Sequence, residues 1–520
     1  MMKSMKTLIA LVLALTLCLS SALACTAIYV GADLTEDGVT MFGRSEDISN
    51  SYNKVFYVAE AGKHKAGEVY QGCYGFTYTF TKDSYGYTAY SDDNLSGFCP
   101  DCGGEHAHTP YEAGGTNEMG LTVTATETLS GACQAVKAVD PFNGDTGIEE
   151  AEIPTVLLSE CATAREALEL LTSIYETVGC QGGSGIFLAD NTETWYIENT
   201  TGKQYIAVKC SSTMAFAVPN QSAIGLIDLD DTENVVASEG LIAVAKEAGT
   251  YVGDEAANTI DYIASYLPEQ AANARYASAL KHFSAAFTKA QEEIVETDYA
   301  ISNVDAEGNI VTMYTNIAPD RVFTIADMVD YYAIPGIGST GNLEIHIFQI
   351  AAEDGLTDTV EWVAMDHGRY TNFVPYYPML TTDVYAGYKV GTESAAFTQE
   401  QPAEGLYYAT TGRVRNEAGE RVTVDGYKVL PANWADSVYW AYDALSNLAS
   451  TKELTEEQQS AIAAKKAELQ QKCYDAYAEM KAAVAAAENI EAAAKAATEI
   501  SMATAAEVHA AVVELVNSIK

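Results

Sequence analysis

The chain has 520 residues, with 29 Lys and Arg against 72 Asp and Glu and a formal net charge of −43. At 48% hydrophobic and 19% charged residues it can bury a large core, which excludes a wholly disordered chain, a collagen-like repeat and a coiled coil. The acidity excludes a nucleic-acid partner, because no basic surface remains to meet a phosphate backbone, and sets the chain against anionic lipid.

Lys3 and Lys6 precede an apolar run from Leu8 to Leu19, followed by Ser20, Ser21 and Ala22-Leu23-Ala24. This is the pattern of a signal peptide over 1–24 with an A-x-A cleavage site, its apolar run too short for a comfortable membrane span. The mature chain is then expected to be secreted or held in the cell envelope, to have no membrane span, and to start at Cys25. Residues 25–44 read as a hairpin: Thr26-Ala-Ile-Tyr-Val30, a turn at Thr35-Glu-Asp-Gly38, and Val39-Thr-Met-Phe42. Residues 46–116 read as an aromatic, Gly-rich and irregular stretch, and a strand follows at Leu121–Thr126. A helix is predicted over about 154–178, with Pro154 in its first turn. Short strands are expected at 185–189, 193–199, 204–209 and 214–218, helices at about 234–248, 254–266 and 272–291, and strands near 344–351 and 359–365.

From about residue 430 the chain reads as helical. Leu469, Cys473, Tyr477 and Met480 form one apolar stripe and Val508, Val512, Leu515 and Ile519 another, as expected of helices packed on the body or on each other; a peptide- or wall-binding appendage is the other reading. The element order is α+β with antiparallel strands rather than a regular βαβ alternation.

The ten cysteines separate into Cys18, which leaves with the signal, Cys25, and eight others that an exported chain can oxidise in pairs. Cys99-Pro-Asp-Cys102-Gly-Gly-Glu-His106-Ala-His108 offers two thiolates and two imidazoles, enough for a tetrahedral Zn set, although its Cys-to-His spacing is short for a finger. Disulfides involving Cys73, Cys99, Cys102 and Cys133 are the alternative, and the favoured one.

Cleavage before Cys25 would put a thiol and a free α-amine on one residue. A deprotonated thiol is a good nucleophile, and an α-amine titrates close to neutrality, so such a residue carries its own base. The alternatives for this cysteine are a disulfide partner and a lipidated lipoprotein terminus. Lipoprotein cleavage favours Leu three residues before the cysteine, where this chain has Ala22.

Cys25-Thr-Ala-Ile-Tyr-Val, the turn at Asp37-Gly38 and Met41-Phe-Gly-Arg-Ser-Glu-Asp47 resemble the opening of the N-terminal-nucleophile cysteine amidohydrolases. The nearest resemblance is to the dipeptidase A family, with its secernin relatives; bile salt hydrolases and penicillin V acylases are more distant. Gly114-Gly-Thr-Asn-Glu-Met-Gly-Leu121, Thr163-Ala-Arg-Glu-Ala167, Trp195-Tyr-Ile-Glu-Asn-Thr-Thr-Gly-Lys-Gln204 and Val218-Pro-Asn-Gln221 continue it in order, followed by Asn273-Ala-Arg-Tyr276, Glu344-Ile-His-Ile347 and Val374-Pro-Tyr-Tyr377.

The resemblance implies an αββα sandwich over residues 25–447, with an insert at about 73–133 and a helical C-terminal extension over 448–520. It also implies that Cys25 Sγ attacks the scissile carbonyl and that its α-amine moves the proton. Arg44 would lower the thiol pKa, Asp47 would hold the α-amine, and Asn220 would donate to the oxyanion. Arg275 corresponds to a distal arginine and is taken as substrate-binding. Glu127 stands where bile salt hydrolases place an Asn; a carboxylate cannot donate to an oxyanion but suits a substrate α-ammonium. The expected activity is therefore hydrolysis of dipeptides or short peptides through a thioester, without a cofactor. The alternatives are an N-acyl amide hydrolase of the bile salt or penicillin V type and a non-catalytic lipoprotein. The sequence leaves the oligomeric state open, a homo-oligomer included.

Overall fold

The computed structural model describes residues 25–47, 53–72, 75–93, 111–126, 129, 131–270, 274–284, 319–352, 355–415, 421–452 and 454–520. It is a mixed α/β chain built on two large antiparallel sheets. Their strands, in chain order, are β1 (Thr26–Val30), β2 (Thr40–Asp47), β3 (Lys54–Ala59), β4 (Tyr87–Asp92), β5 (Glu112–Thr116), β6 (Thr122–Thr126), β7 (Ser184–Ala189), β8 (Thr194–Asn199), β9 (Tyr205–Lys209), β10 (Ala215–Val218), β11 (Val235–Ala237), β12 (Asn342–Ile350), β13 (Thr359–Met365) and β14 (Val374–Tyr376). One sheet has the order β10-β1-β2-β12-β13-β14 and the other β11-β9-β8-β7-β6-β5-β4-β3.

β1 is buried along its whole length and lies between β10 and β2, so it belongs to the interior of its sheet. The register pairs Ala27 with Val218 on one side and with Arg44 on the other. Aromatic side chains join the two sheets: Phe42 and Tyr29 of the first stack on Phe187 of the second, with ring centroids 5.3 Å and 6.2 Å apart. Phe216 and Phe348 extend the same layer.

Helices cover the outer faces. α1 (Ile153–Glu160) and α2 (Ala164–Thr177) lie on β5–β8, burying Leu157, Leu168, Leu171 and Trp195 in a core of their own. α3 (Ala274–Phe283) packs against β10, and α4 (Ile325–Ala333) against β2. α5 (Val438–Thr451), α6 (Glu456–Ala485) and α7 (Ile490–Ile519) cover β13 and β14. Each apolar stripe turns inward: Leu469, Cys473 and Met480 are buried on α6, and Val508, Val512 and Ile519 on α7. Polar clips fix the pair to the sheet. Ser501 donates to the carbonyl of Pro375 at 2.8 Å, and the Gln470 amide oxygen accepts from the Phe373 N–H at 2.9 Å.

Several expected elements differ. The described part of the stretch 46–116 is not irregular; it contributes β3, β4, β5 and the ribbon of 69–71 with 77–79. Tyr57, Tyr70, Tyr78, Tyr87 and Tyr90 all stand on these strands, with Tyr70, Tyr87 and Tyr90 buried, a strand signal that the Gly content of the connecting turns masks. The helix expected over 154–178 breaks into α1 and α2, because Cys161 is extended and Thr163 caps a new helix by accepting from the Glu166 N–H. The Asn117 amide takes the freed carbonyls of Leu158 and Cys161.

The region 234–248 opens as strand β11 before its helix at 241–248, and 254–266 holds a strand at 259–261 ahead of a short helix at 262–266. Among the described residues, α3 ends at Phe283. A hairpin of 407–415 and 421–429 precedes the region expected to be helical from about 430, and that region holds α5, α6 and α7.

The paired-cysteine expectation also fails where it can be seen. Cys25, Cys133, Cys161, Cys180, Cys210 and Cys473 are all free thiols. Cys161, Cys180, Cys210 and Cys473 pack as small apolar residues in the two cores, and burial drives each thiol pKa upward. Cys73, Cys99, Cys102, His106 and His108 lie outside the described residues, as does Glu127. Among the described residues no group of three or more His, Cys, Asp or Glu is placed to hold a metal, and no helix is long and apolar enough to cross a membrane.

Candidate active site

The start of β1 is where the sequence-derived residues converge. Register places Thr26 opposite Ser45 and Ala27 opposite Arg44. Alternation along a strand then sends the Cys25 and Arg44 side chains to the same, inter-sheet face, and Ser45 and Asp47 to the other. Arg44 reaches diagonally to Cys25, its Nη2 lying 3.3 Å from Sγ. Both residues are buried.

The guanidinium is held by more than the thiol. The same Nη2 donates to Tyr111 Oη at 3.1 Å and to Glu150 Oε1, and Nη1 donates to the Ala113 carbonyl at 3.4 Å and lies 3.8 Å from Glu344 Oε1. Tyr111 Oη donates in turn to Glu150 Oε1 at 2.5 Å. Burial works against the Arg44 cation, but Tyr111, Cys25, Glu150 and Glu46 around it hold its pKa well above the ordinary value. Glu344 is bonded to His346 Nδ1 at 2.9 Å, and the other ring nitrogen meets Thr124 Oγ1 at 2.8 Å. Lys54 Nζ, also buried, sits 2.6 Å from both Glu46 and Asp92. Burial pushes the Cys25 thiol up to about 11; Arg44 pulls it down, and Glu150, Asp47 and Glu46 push it further up.

On the opposite face Asp47 accepts a hydrogen bond from the Asn342 side-chain amide. A register irregularity between Asn342 and Glu344 brings Asn342 opposite Asp47. Burial raises the Asp47 carboxyl to about 7, although Asn342, Arg275, Ser45 and Arg44 all oppose the rise.

Arg275, on α3, clamps the start of β1 to the turn after β10. Nη1 donates to the Cys25 carbonyl at 3.1 Å and to Thr26 Oγ1 at 2.7 Å, while Nη2 donates to the Pro219 carbonyl at 3.3 Å and to Asn220 Oδ1 at 2.5 Å. Asn220 is left-handed, with φ 58°, a conformation Asn tolerates better than most residues. With Oδ1 accepting from Arg275, its Nδ2 is the donor end of the amide. Glu198 supports the same turn from below. It is buried and accepts from Tyr196 Oη at 2.9 Å, from the Ala223 N–H at 2.6 Å and from Ser222 Oγ. Burial raises it to about 7.

Cys25, Arg44, Asp47, Asn220 and Arg275 therefore meet within one cluster, whereas Glu127 lies outside the described residues. Arg275 touches the backbone of Cys25 and the oxygen of Asn220. Sequence reasoning missed Tyr111, Glu150, Asn342 and Glu198. Asn342 and Glu198 stand in or beside quoted motifs, at Glu344-Ile-His-Ile347 and Trp195–Gln204; Tyr111 and Glu150 carry no local signal.

Residues 24–401 match the family described as Peptidase family C69. The chain belongs to Peptidase family C69. It is 31% identical over 377 residues to a "Probable dipeptidase B" of Streptococcus pyogenes serotype M18, covering 69% of this chain and 72% of that protein. It is also 31% identical over 252 residues to a "Probable dipeptidase" of Salmonella dublin, covering 48% and 54%. Among solved structures, penicillin V acylase from Agrobacterium tumefaciens aligns with a TM-score of 0.31 at 14% identity, over 67% of this chain and 85% of that one. A conjugated bile acid hydrolase from Clostridium perfringens aligns with a TM-score of 0.25 at 12% identity, over 67% and 92%. As a member of Peptidase family C69, the chain is a peptidase.

Proposed function

We propose that this chain is an exported dipeptidase in which Cys25, made N-terminal by removal of residues 1–24, is the nucleophile of an N-terminal-nucleophile hydrolase of αββα architecture. In this reading residues 25–447 are the hydrolase, with an insert at about 73–133, and 448–520 are a helical extension. The observation that carries it is the contact of Arg44 Nη2 with Cys25 Sγ at 3.3 Å at the buried start of an interior strand, directly after Ala22-Leu23-Ala24.

The Cys25 thiol gives its proton to the α-amine as Sγ attacks the scissile carbonyl, and the carbonyl electrons move onto oxygen to form a tetrahedral oxyanion. Asn220 Nδ2 and a backbone N–H stabilise that charge. Collapse expels the amine, which takes its proton from the Cys25 α-ammonium, and leaves a thioester that water hydrolyses with the α-amine again as base. With residue 24 attached the thiol sits at about 11; an α-ammonium on the same residue adds a second positive charge beside Sγ and favours the thiolate. Asp47, buried and under-compensated, would receive that ammonium. A dipeptide substrate is favoured by the relatives' names, and Glu127 is the candidate ligand of the substrate α-ammonium.

Mass spectrometry of the exported chain is expected to find an unmodified Cys25 at its N-terminus; a lipid adduct would overturn the reading. Cys25→Ala is expected to lower dipeptide hydrolysis by about 10³-fold or more, with the fold retained. Undiminished hydrolysis by that variant would exclude Cys25 as nucleophile, and turnover of N-acyl amides in place of dipeptides would move the chain to the second class.

A further inference from the structure

Arg44 is fully buried, and its Nη2 meets three different side chains: Cys25 Sγ at 3.3 Å, Tyr111 Oη at 3.1 Å and Glu150 Oε1 at 2.5 Å. Tyr111 closes a triangle by donating to the same Glu150 oxygen at 2.5 Å. The two contacts of Nη2 bound the distance from Sγ to Glu150 Oε1 at about 6 Å. One carboxylate therefore shares the cation that would stabilise the thiolate, and holds it through a charge-assisted bond that fixes its orientation. Among the described residues, the titratable groups facing the guanidinium include Cys25, Tyr111, Glu150, Glu46 and Glu344, and Asp47 acts on the thiol through space from the other face of the sheet. Glu150 differs from Glu46 and Glu344. Glu46 sits 2.6 Å from Lys54 Nζ and Glu344 is bonded to His346 at 2.9 Å, whereas Glu150 holds the same Arg44 Nη2 that meets the thiol.

We propose that Glu150, oriented by Tyr111, is a positioning residue that fixes Arg44 against the Cys25 sulfur and offsets part of its charge, so that it sets the reactivity of the nucleophile. This rests on Cys25 being the nucleophile. Glu150 lies in the loop before α1 and Tyr111 at the start of β5, so the two come from chain segments far from Cys25 and meet it only in the fold.

Replacing the carboxylate with its neutral isostere keeps an acceptor for both Arg44 and Tyr111 and removes only the charge. One charge about 6 Å away, at an effective dielectric near 20, moves a pKa by about 2 units. Screening by Arg44 reduces that figure, so Glu150→Gln is expected to lower the Cys25 thiol pKa by about 1 to 2 units. The pKa is read from the pH dependence of iodoacetamide alkylation of the Cys25-containing peptide, resolved from the other thiols by mass spectrometry. In dipeptide hydrolysis the same variant should shift the acidic limb of kcat/KM downward with KM little changed.

Glu150→Asp keeps the charge but withdraws it from the guanidinium, and is expected to move the thiol in the same direction by a smaller amount; it decides the matter if Glu150→Gln does not fold. An alkylation pKa unchanged to within about 0.3 units in a folded variant would overturn the proposal. So would a rise in KM with an unmoved thiol, which is the signature of a substrate ligand. Alkylation reads the thiol whether or not it hydrolyses peptides, so failure here is distinct from an active Cys25→Ala variant, which would overturn the proposed function itself.

Discussion

The two ends of the same strand pair are built from opposite materials. At one end of β1 and β2, Tyr29 and Phe42 meet Phe187, Phe216 and Phe348 in a dry aromatic layer. At the other end, Cys25, Arg44 and Glu46 share the inter-sheet space with Glu150, Glu344, Lys54 and Tyr111. Burying aromatic rings stabilises the sandwich by about 2 to 3 kcal/mol each. Burying charges costs several kcal/mol per ion and is offset only by close pairing. The aromatic end thus supplies the stability that lets the charged end persist, and the Coulomb forces at that charged end act at low dielectric, where they shift pKa values by units.

That division is open to attack at the aromatic end first. Phe187 touches Tyr29, Phe42, Tyr196 and Phe216, so Phe187→Ala is expected to destabilise the fold by about 3–5 kcal/mol, measured as a lowered denaturant midpoint. The kcat/KM of the folded fraction should change by less than about threefold. A loss beyond tenfold would show that the aromatic layer also sets the geometry of the nucleophile, and the contrast between the ends would fail.

The converse comes from the turn after β10. Asn220 stands at φ 58°, where glycine is at least as comfortable, so the cost of Asn220→Gly to stability is the lost acceptor of Arg275, about 1–2 kcal/mol. The variant loses the donor, and kcat should fall about 10²- to 10³-fold. Unchanged kcat would remove Asn220 from the oxyanion site and leave it as the partner of Arg275 alone.

The same contrast explains what the sequence made legible. β1, β2, β7–β10, β12 and β13 follow from β-branched and aromatic runs bounded by turn residues, and the apolar stripes of α6 and α7 from helical spacing. The neighbours of Cys25 along its own hairpin, Arg44 and Asp47, are local in sequence and were visible. Tyr111 and Glu150 were not, because a buried ion pair between distant segments leaves no periodicity and looks like an exposed acid in a loop. Strands β3–β5 were hidden by glycine-rich composition, and the break between α1 and α2 by the long-range Asn117 contact that caps it. The cysteines misled for a related reason: export argues for oxidation, whereas the described thiols pack singly as apolar groups.

The last test bears on the hinge of the proposed mechanism, the α-amine. In the uncut chain the Asp47 carboxyl is raised from 3.8 to about 7, chiefly by burial. A carboxyl raised on folding binds its proton more tightly in the folded state. Its contribution to stability is therefore fully present below about pH 3.8 and is lost as the pH rises through about 7. A form whose residue 25 is preceded by another residue should thus lose about 4 kcal/mol between pH 4 and pH 8 relative to its Asp47→Asn counterpart. A free α-ammonium at residue 25 pairs with the ionised carboxylate, so the form that begins at Cys25 should lose less than half as much. Unfolding free energies of the four chains across that window decide it. Equal slopes with and without the free amine would mean that Asp47 does not hold it, and the α-amine would need another partner to be oriented as the base.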